Sequence, residues 1–471
     1  MRKNIGKKII SMTLIAALSI TMLAGCGCKK SENDGKTTVK LGIWPSDDLV
    51  ADVATFEGYV DTMKELYPDV VIEPAHYTYA TDTFVSIASS GNCPTIFETW
   101  FTEPQKLIQQ GLVADITEEV KERGWDKKMS SSVLDILSDD EGHIYGVPRD
   151  GYALGIMCNV NLFEAAGLVD KDGIPKFPTT WEELAKTAQT IKKKTGASGL
   201  CLLAKDNSGG WQFSNIAWCF GAELCKDNGD GTYTANLASK EAIEAMKFVS
   251  DLKWKYDVLT ANPTAENWDS GFQQLGTDAC AMYIAGNDGV DKPTQVNGLA
   301  TEKLAMCPIP AGPDGKQYSL SGGTPYMFSK DATKEEINAA LDFIEVMGKS
   351  PDVNDTMLQG LQADAAKRFN NGVPVLQSFP CWINEDRIEE ERKIVAEYKN
   401  VDEKMFSTYF EKINEDGNVR AEEPGDPQEM YKQITNVLQE VVTKKNCDIE
   451  GLMKQANDNY QKILDNKFKK Q

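Results

Sequence analysis

Val39-Lys40-Leu41-Gly42-Ile43-Trp44 is a short apolar run broken by one lysine and one glycine, and it reads as a β-strand. Downstream, residues 60–66 end a helix, and Tyr67-Pro68-Asp69 turns the chain into a second strand, Val70-Val71-Ile72. Gly91, Asn92 and Pro94 form a further turn, which opens onto a third strand, Thr95-Ile96-Phe97-Glu98. Apolar strands that alternate with helices need cover on both faces. The stretch therefore predicts an α/β fold built on a parallel sheet.

The helical signals continue to the end of the chain. Thr180-x-x-Glu183 is a capping box, followed by Leu184, Ala185, Ala188 and Ile191 at helical spacing, with Gly196 as the stop. Thr333-x-x-Glu336 opens another helix, with Ile337, Ala340, Leu341 and Ile344 on its buried face. Two apolar stripes close the chain: Ile434, Val437, Leu438, Val441 and Val442, then, after Asp448 as cap, Ile449, Leu452, Met453, Ala456, Tyr460 and Ile463. Trp181 and Trp254 lie on such stripes and Trp218 lies in an apolar run, so all three read as core. Residues 385–403 are charge-dense and read as a solvated helix face, with residues 422–426 as a loop after them.

The N-terminus has a different character. Arg2, Lys3, Lys7 and Lys8 precede an apolar stretch over residues 9–23, the pattern of a signal peptide. A confident membrane span needs roughly 20 apolar residues, and this stretch is shorter. Leu23-Ala24-Gly25-Cys26 matches the bacterial lipobox, which makes residues 1–25 the signal peptide and Cys26 the lipidated first residue of the mature chain. One acyl chain holds a protein to a bilayer only marginally, so a durable anchor on Cys26 needs several. Residues 26–36 are polar and read as a flexible tether, which places the protein at the extracellular face of the cell membrane.

Composition excludes several functions. With 471 residues the chain is too long for one core. Its formal net charge of −21 gives no basic patch for nucleic acid. The 11 cysteines include no CxxC pair and no metal-ligand spacing, so neither metal nor cofactor is expected. Most of them sit in apolar runs such as Gly155-Ile156-Met157-Cys158 and read as buried free thiols, although Cys219 and Cys225 are close enough in sequence to pair.

Catalytic signatures are also missing. The two histidines, His76 and His143, form no HExxH motif. Gly196-Ala197-Ser198-Gly199-Leu200 fails the GxSxG pattern at its last position. Gly348-Lys349-Ser350 lacks the leading glycine of a P-loop, because position 343 is Phe. Residues 227–231 miss the EF-hand register because position 226 is Lys. The chain reads as a binding protein and not as an enzyme.

Ordered motifs narrow the class. Asn92-Cys93-Pro94-Thr95-Ile96-Phe97-Glu98-Thr99-Trp100, Gly111-Leu112-Val113-Ala114-Asp115-Ile116 and Tyr145-Gly146-Val147-Pro148 are the first three. Asn159-x-Asn161-Leu162-Phe163-x-x-Ala166-Gly167-Leu168, Pro178-Thr179-Thr180-Trp181-Glu182-Glu183-Leu184 and the helix pair over residues 434–464 complete the set. In this order the chain, from about residue 38 to 466, resembles the family 1 extracellular solute-binding proteins of ABC importers, which include maltose- and oligosaccharide-binding proteins. Members often carry a Trp after the Gly that corresponds to Gly286; here Asn287-Asp288 follows.

The resemblance implies a two-lobe periplasmic-binding-protein-like fold of type II, with discontinuous lobes joined by hinge crossings. Lobe one is expected over residues 37–148 and 278–328, lobe two over 150–276 and 331–471. It further implies a monomer that takes a carbohydrate into the cleft and passes it to ABC permease subunits. A sugar offers apolar C–H faces to aromatic rings and hydroxyls to polar side chains. Strand-to-helix loops and lobe crossings supply such groups. The candidates are Trp44, Glu98, Trp100, Arg149, Asp150, Tyr152, Trp211, Asn287, Gly323, Tyr326 and Trp382. The abundance of aromatics favours an oligosaccharide. The competing ligands are a polyol or a glycerol phosphate ester, and the competing activity is a surface hydrolase with paired carboxylates.

Overall fold

A computed structural model describes residues 35–468 except Asp48, Asp82 and Asp416. The signal peptide, Cys26 and nearly all of the tether lie outside the described residues. No helix among those described is long and apolar enough to cross a membrane.

In chain order the strands are β1 (Thr37–Leu41), β2 (Val70–Pro74), β3 (Ile96–Glu98), β4 (Gly146–Asn159), β5 (Ser198–Cys201), β6 (Cys225–Asp227), β7 (Tyr233–Ala235), β8 (Cys280–Gly286), β9 (Leu304–Pro308), β10 (Ser319–Phe328) and β11 (Val419–Arg420). β6 and β7 form a separate hairpin, and the others form a sheet in the order β2-β1-β3-β10-β4-β8-β5, with β9 also on β4 and β11 on β10. The three strands read from the sequence are parallel, as expected: β1 pairs with β2 and with β3. The middle of the sheet is antiparallel, because β10 runs against both β3 and β4, and β4 against β8. The fold is thus α/β with a mixed sheet.

β4 explains the two lobes. Its first half, Gly146 to Ala153, pairs with β10, while Leu154 to Cys158 pairs with β8 and Gly155 to Asn159 with β9. One half-sheet is therefore β2-β1-β3-β10 with the start of β4, and the other is β5-β8-β9 with its end. Their meeting point is rich in glycine. Gly151, Gly322 and Gly323 lie on the facing strands, and a Cβ on Gly322 would come within 2.2 Å of the Tyr152 hydroxyl. A side chain there would push Tyr152 off the strand.

The lobe boundaries differ from those read in the sequence. Residues 278–328 were assigned to lobe one, but β8 and β9 complete the second half-sheet. Residues 331–471 were assigned wholly to lobe two, yet the helix Lys334–Val346 packs on β1 and on the helix Val50–Leu66. Its apolar face (Ile337, Ala340, Leu341, Ile344) covers the first half-sheet. The helices Pro427–Thr443 and Ile449–Lys467 do belong with the second, against Ser208–Cys219 and Lys240–Trp254. Backbones touch there: a Cβ on Gly210 would lie 2.3 Å from the Tyr431 carbonyl oxygen.

Local signals hold. Thr180 and Thr333 cap their helices by accepting from the backbone N–H of Glu183 and Glu336, and Gly196 ends the first in the left-handed region at φ 82°. Trp181 and Trp218 are fully buried. The helix Glu385–Glu397 buries only Ile394. Among the described residues nine cysteines are free thiols, eight of them buried, so Cys219 and Cys225 do not pair.

Candidate functional site

A cavity of about 440 Å³ opens where the half-sheets meet. Both lobes and the crossing strands build it. Trp100, Phe101 and Thr102 come from the loop after β3, Tyr152 from β4, and Gly323 and Thr324 from β10. Asn207, Ser208 and Trp211 come from the start of the helix Ser208–Cys219, and Trp268 from the start of Trp268–Gly276. Asp288, Glu422, Gln428 and Tyr431 complete the lining.

The aromatic wall is held in place by its own packing. Trp211 meets Tyr152 edge-on at 6.2 Å and Trp268 at 5.5 Å between ring centroids. Trp268 rests in turn on Phe272 at 4.6 Å. Across the cavity, Trp100 is 47% exposed, a large apolar surface held in water by an edge contact with Tyr79 at 5.7 Å. The Tyr79 hydroxyl donates to the buried carboxylate of Glu103, which pairs with Lys106. A rigid, half-wetted aromatic wall favours a ligand with apolar faces.

The polar groups are acidic. Glu422 accepts from the Tyr431 hydroxyl at 2.8 Å, and burial pushes its carboxyl up to about 8. Asp288 is open to the cavity, but the surrounding walls, and then Asp150, push its carboxyl up to about 6. No Lys or Arg is among the described lining residues. Among the described residues no group of three or more His, Cys, Asp or Glu is arranged to hold a metal.

Glu422 makes stability depend on pH. An unfolded glutamate ionises near 4.5 and the folded one near 8, so between these values the folded state keeps a proton that the unfolded state has lost. Stability contributed by this group therefore falls as pH rises through that window. Glu422→Gln cannot ionise, so its melting midpoint relative to the parent will climb from about pH 5 to about pH 8. A relative midpoint that stays level across that range contradicts the assignment. Asp288 has a slope of the same sign that ends near pH 6 and persists in the variant.

Of the residues singled out in the sequence, the structure brings Trp100, Tyr152, Trp211 and Gly323 together in this cavity. Glu98 lies beside it, tied at 2.8 Å to Arg149, and burial raises its carboxyl despite that partner. Arg149 also pairs with Asp150 at 2.7 Å, and both line a second cavity together with Trp382. Trp382 is buried and donates from Nε1 to the Lys349 carbonyl at 3.1 Å. Trp44 packs edge-on to Phe56 at 5.6 Å and does not line the aromatic cavity. Asn287 is buried, and its Oδ1 accepts from the Tyr409 hydroxyl at 3.0 Å. Tyr326 is buried between β3 and β4.

Sequence reading missed Trp268, Asp288, Glu422, Gln428 and Tyr431. Trp268 had a faint signal, because Asn267 and Ser270 form a reciprocal cap that sets the tryptophan at the first helical position. Asp288 had one too, since it follows Asn287 after Gly286, but residues 422–431 had none and reach the cavity through packing of the terminal helices.

Comparison with known proteins fits this architecture. A family model described as bacterial extracellular solute-binding protein matches residues 47–352, more than half of the chain. Among solved structures, maltose-bound MalE3 of T. maritima aligns at a TM-score of 0.64 with 18% identity, over 91% of this chain and 99% of that one. The cyclic alpha-maltosyl-1,6-maltose binding protein of Arthrobacter globiformis aligns at 0.65 with 19% identity, over 92% and 99%. UgpB of Mycobacterium tuberculosis in complex with glycerophosphocholine aligns at 0.67 with 16% identity, over 92% and 99%. At these identities the likeness is one of fold, the two-lobe type II architecture of periplasmic binding proteins.

Proposed function

Because this chain belongs to the bacterial extracellular solute-binding proteins, we propose that it captures a carbohydrate between its lobes and delivers it to the permease of an ABC importer. The observation that carries the reading is the aromatic wall of Trp100, Trp211, Trp268 and Tyr152 around a cavity of about 440 Å³. Pyranose rings lay their C–H faces on such rings, while Asn207, Gln428, Asp288 and Glu422 are placed to bind hydroxyls. The volume falls in the range of ordinary ligand sites, about 300–1,000 Å³. Two of the three structures named above are described as bound to maltose or as binding a maltose-built sugar, which is consistent with this class.

The acidic lining, with no Lys or Arg among the described lining residues, weighs against a phosphate ester. An uncharged oligosaccharide suits the cavity better. The protein acts by binding, with no chemical step on the sugar. Hinge closure around a ligand is the known behaviour of periplasmic binding proteins, and in this chain it falls on β4 and β10. A closed state that aligns both lobes is what the permease would recognise. Lipid chains on Cys26 keep the protein beside it, outside the cell.

Thermal unfolding against a panel of mono- and oligosaccharides tests this. A sugar at about 1,000 times its Kd adds roughly 4 kcal/mol and raises the midpoint by several degrees. The expected result is a shift with one class of oligosaccharide and its recovery unchanged. A shift with polyols or phosphate esters alone sinks the carbohydrate reading, and a cleaved sugar sinks the binding-only reading.

A further inference from the structure

The second cavity, also about 440 Å³, lies on the other face of β4. Tyr152 lines the first cavity, whereas a Cβ on its neighbour Gly151 would meet the Cys381 Sγ at 2.6 Å in the wall of the second. Successive residues of a strand point to opposite faces, so one strand separates the two spaces.

Its charge is opposite to that of the molecule. The chain carries −21, yet Arg149, Lys349, Arg387 and Arg392 line this cavity against Asp150 and Glu391. Arg149 is neutralised by Glu98 and Asp150. Glu391 is engaged by the backbone N–H of Ser378 at 2.7 Å. Among the described residues no ion pair is formed by Lys349, Arg387 or Arg392. Arg387 donates instead to the carbonyls of Ser350 at 2.6 Å and Gly348 at 3.4 Å, which fixes its guanidinium at the cavity wall. Burial, partly offset by Glu391 and Asp352, holds Arg387 below its ordinary value, while Lys349 and Arg392 present their cations to the open cavity. Phe379, Trp382 and Phe410 give the same space an apolar side.

We propose that this cavity binds a small organic anion, its carboxylate or phosphate held by Lys349, Arg387 and Arg392 and its apolar body against Trp382 and Phe379. An oxyanion supplies the counter-charge that the protein omits, and charge-assisted hydrogen bonds to it are roughly twice as strong as neutral ones. The first cavity suits it poorly, since no Lys or Arg is among its described lining residues.

The test is thermal unfolding of the purified protein with phosphate, citrate and benzoate, each against chloride at matched ionic strength. At least one of them at about 10 mM should raise the midpoint by several degrees beyond chloride. Lys349 and Arg392 are exposed to the cavity, so Lys349→Met with Arg392→Met should keep the fold and the sugar response while losing the anion response. Trp211→Ala should do the reverse. The proposal is overturned if none of the three anions exceeds chloride, if the double variant still responds, or if Trp211→Ala removes the anion effect, which would assign it to the first cavity. It does not depend on the carbohydrate reading, because the anion response is measured without sugar.

Discussion

Trp211→Ala will weaken carbohydrate binding by roughly 30-fold or more in isothermal titration, the effect of a central aromatic anchor worth about 2 kcal/mol or above. Trp211 is the hub of the cavity wall, with Tyr152 against one edge and Trp268 against another. Removing the indole deletes one sugar platform and loosens two more, so the loss should exceed that of a single contact. Titration well below the unfolding temperature separates lost binding from lost fold. An affinity within about threefold of the parent would move the sugar elsewhere in the cleft.

Glu423→Ala will cost about 3–5 kcal/mol of folding stability, read as a lowered urea midpoint. Glu423 is buried, and its carboxylate accepts from Trp218 Nε1 at 2.6 Å, from the Leu224 N–H at 2.9 Å and from the Cys225 N–H at 3.4 Å. Alanine leaves these buried donors without a partner. Burial raises the Glu423 carboxyl above its usual range, against the pull of its hydrogen bonds and of Arg420. Glu423→Gln keeps one acceptor oxygen and should lose clearly less. Equal losses in the two variants would show that charge, and not hydrogen bonding, is what the site needs.

These two residues also mark how far the sequence could be read. Local physics was legible: the caps at Thr180 and Thr333, the αL stop at Gly196 and the apolar stripe of Pro427–Thr443 appear as expected, while the last helix buries Met453, Ala456 and Tyr460 as expected but Leu464 in place of Ile463. Trp100 was legible because it follows a strand, whereas Trp211, expected in a loop after Gly209-Gly210, stands in the first turn of the helix Ser208–Cys219. The remaining misses depend on long-range packing. Glu423 meets its partners about 200 residues away, and nothing in Glu422-Glu423-Pro424 distinguishes the buried acid from a solvated one. The pairing of β8 was hidden for a similar reason. β8 is apolar on both faces and would suit either half-sheet, and only its pairing with β4 and β5 decides. Trp44 and Asn287 follow strands as the sequence implied, but Trp44 packs on Phe56 and Asn287 is buried, while Tyr326 lies buried within β10.

The sharing of β4 between half-sheets has a consequence for biogenesis. Chains emerge N-terminus first, and domains generally fold as units in that order. Here the first half-sheet cannot close on its own segment, because the second edge of β3 finds its partner only when Tyr326, Met327 and Phe328 arrive, more than 200 residues later. The end of β4 likewise waits for β8 and β9. For most of its synthesis the chain therefore holds open strand edges that invite pairing with other chains. Both lobes are completed late and close together in time, so a chain halted before residue 319 has neither a finished lobe nor a binding site.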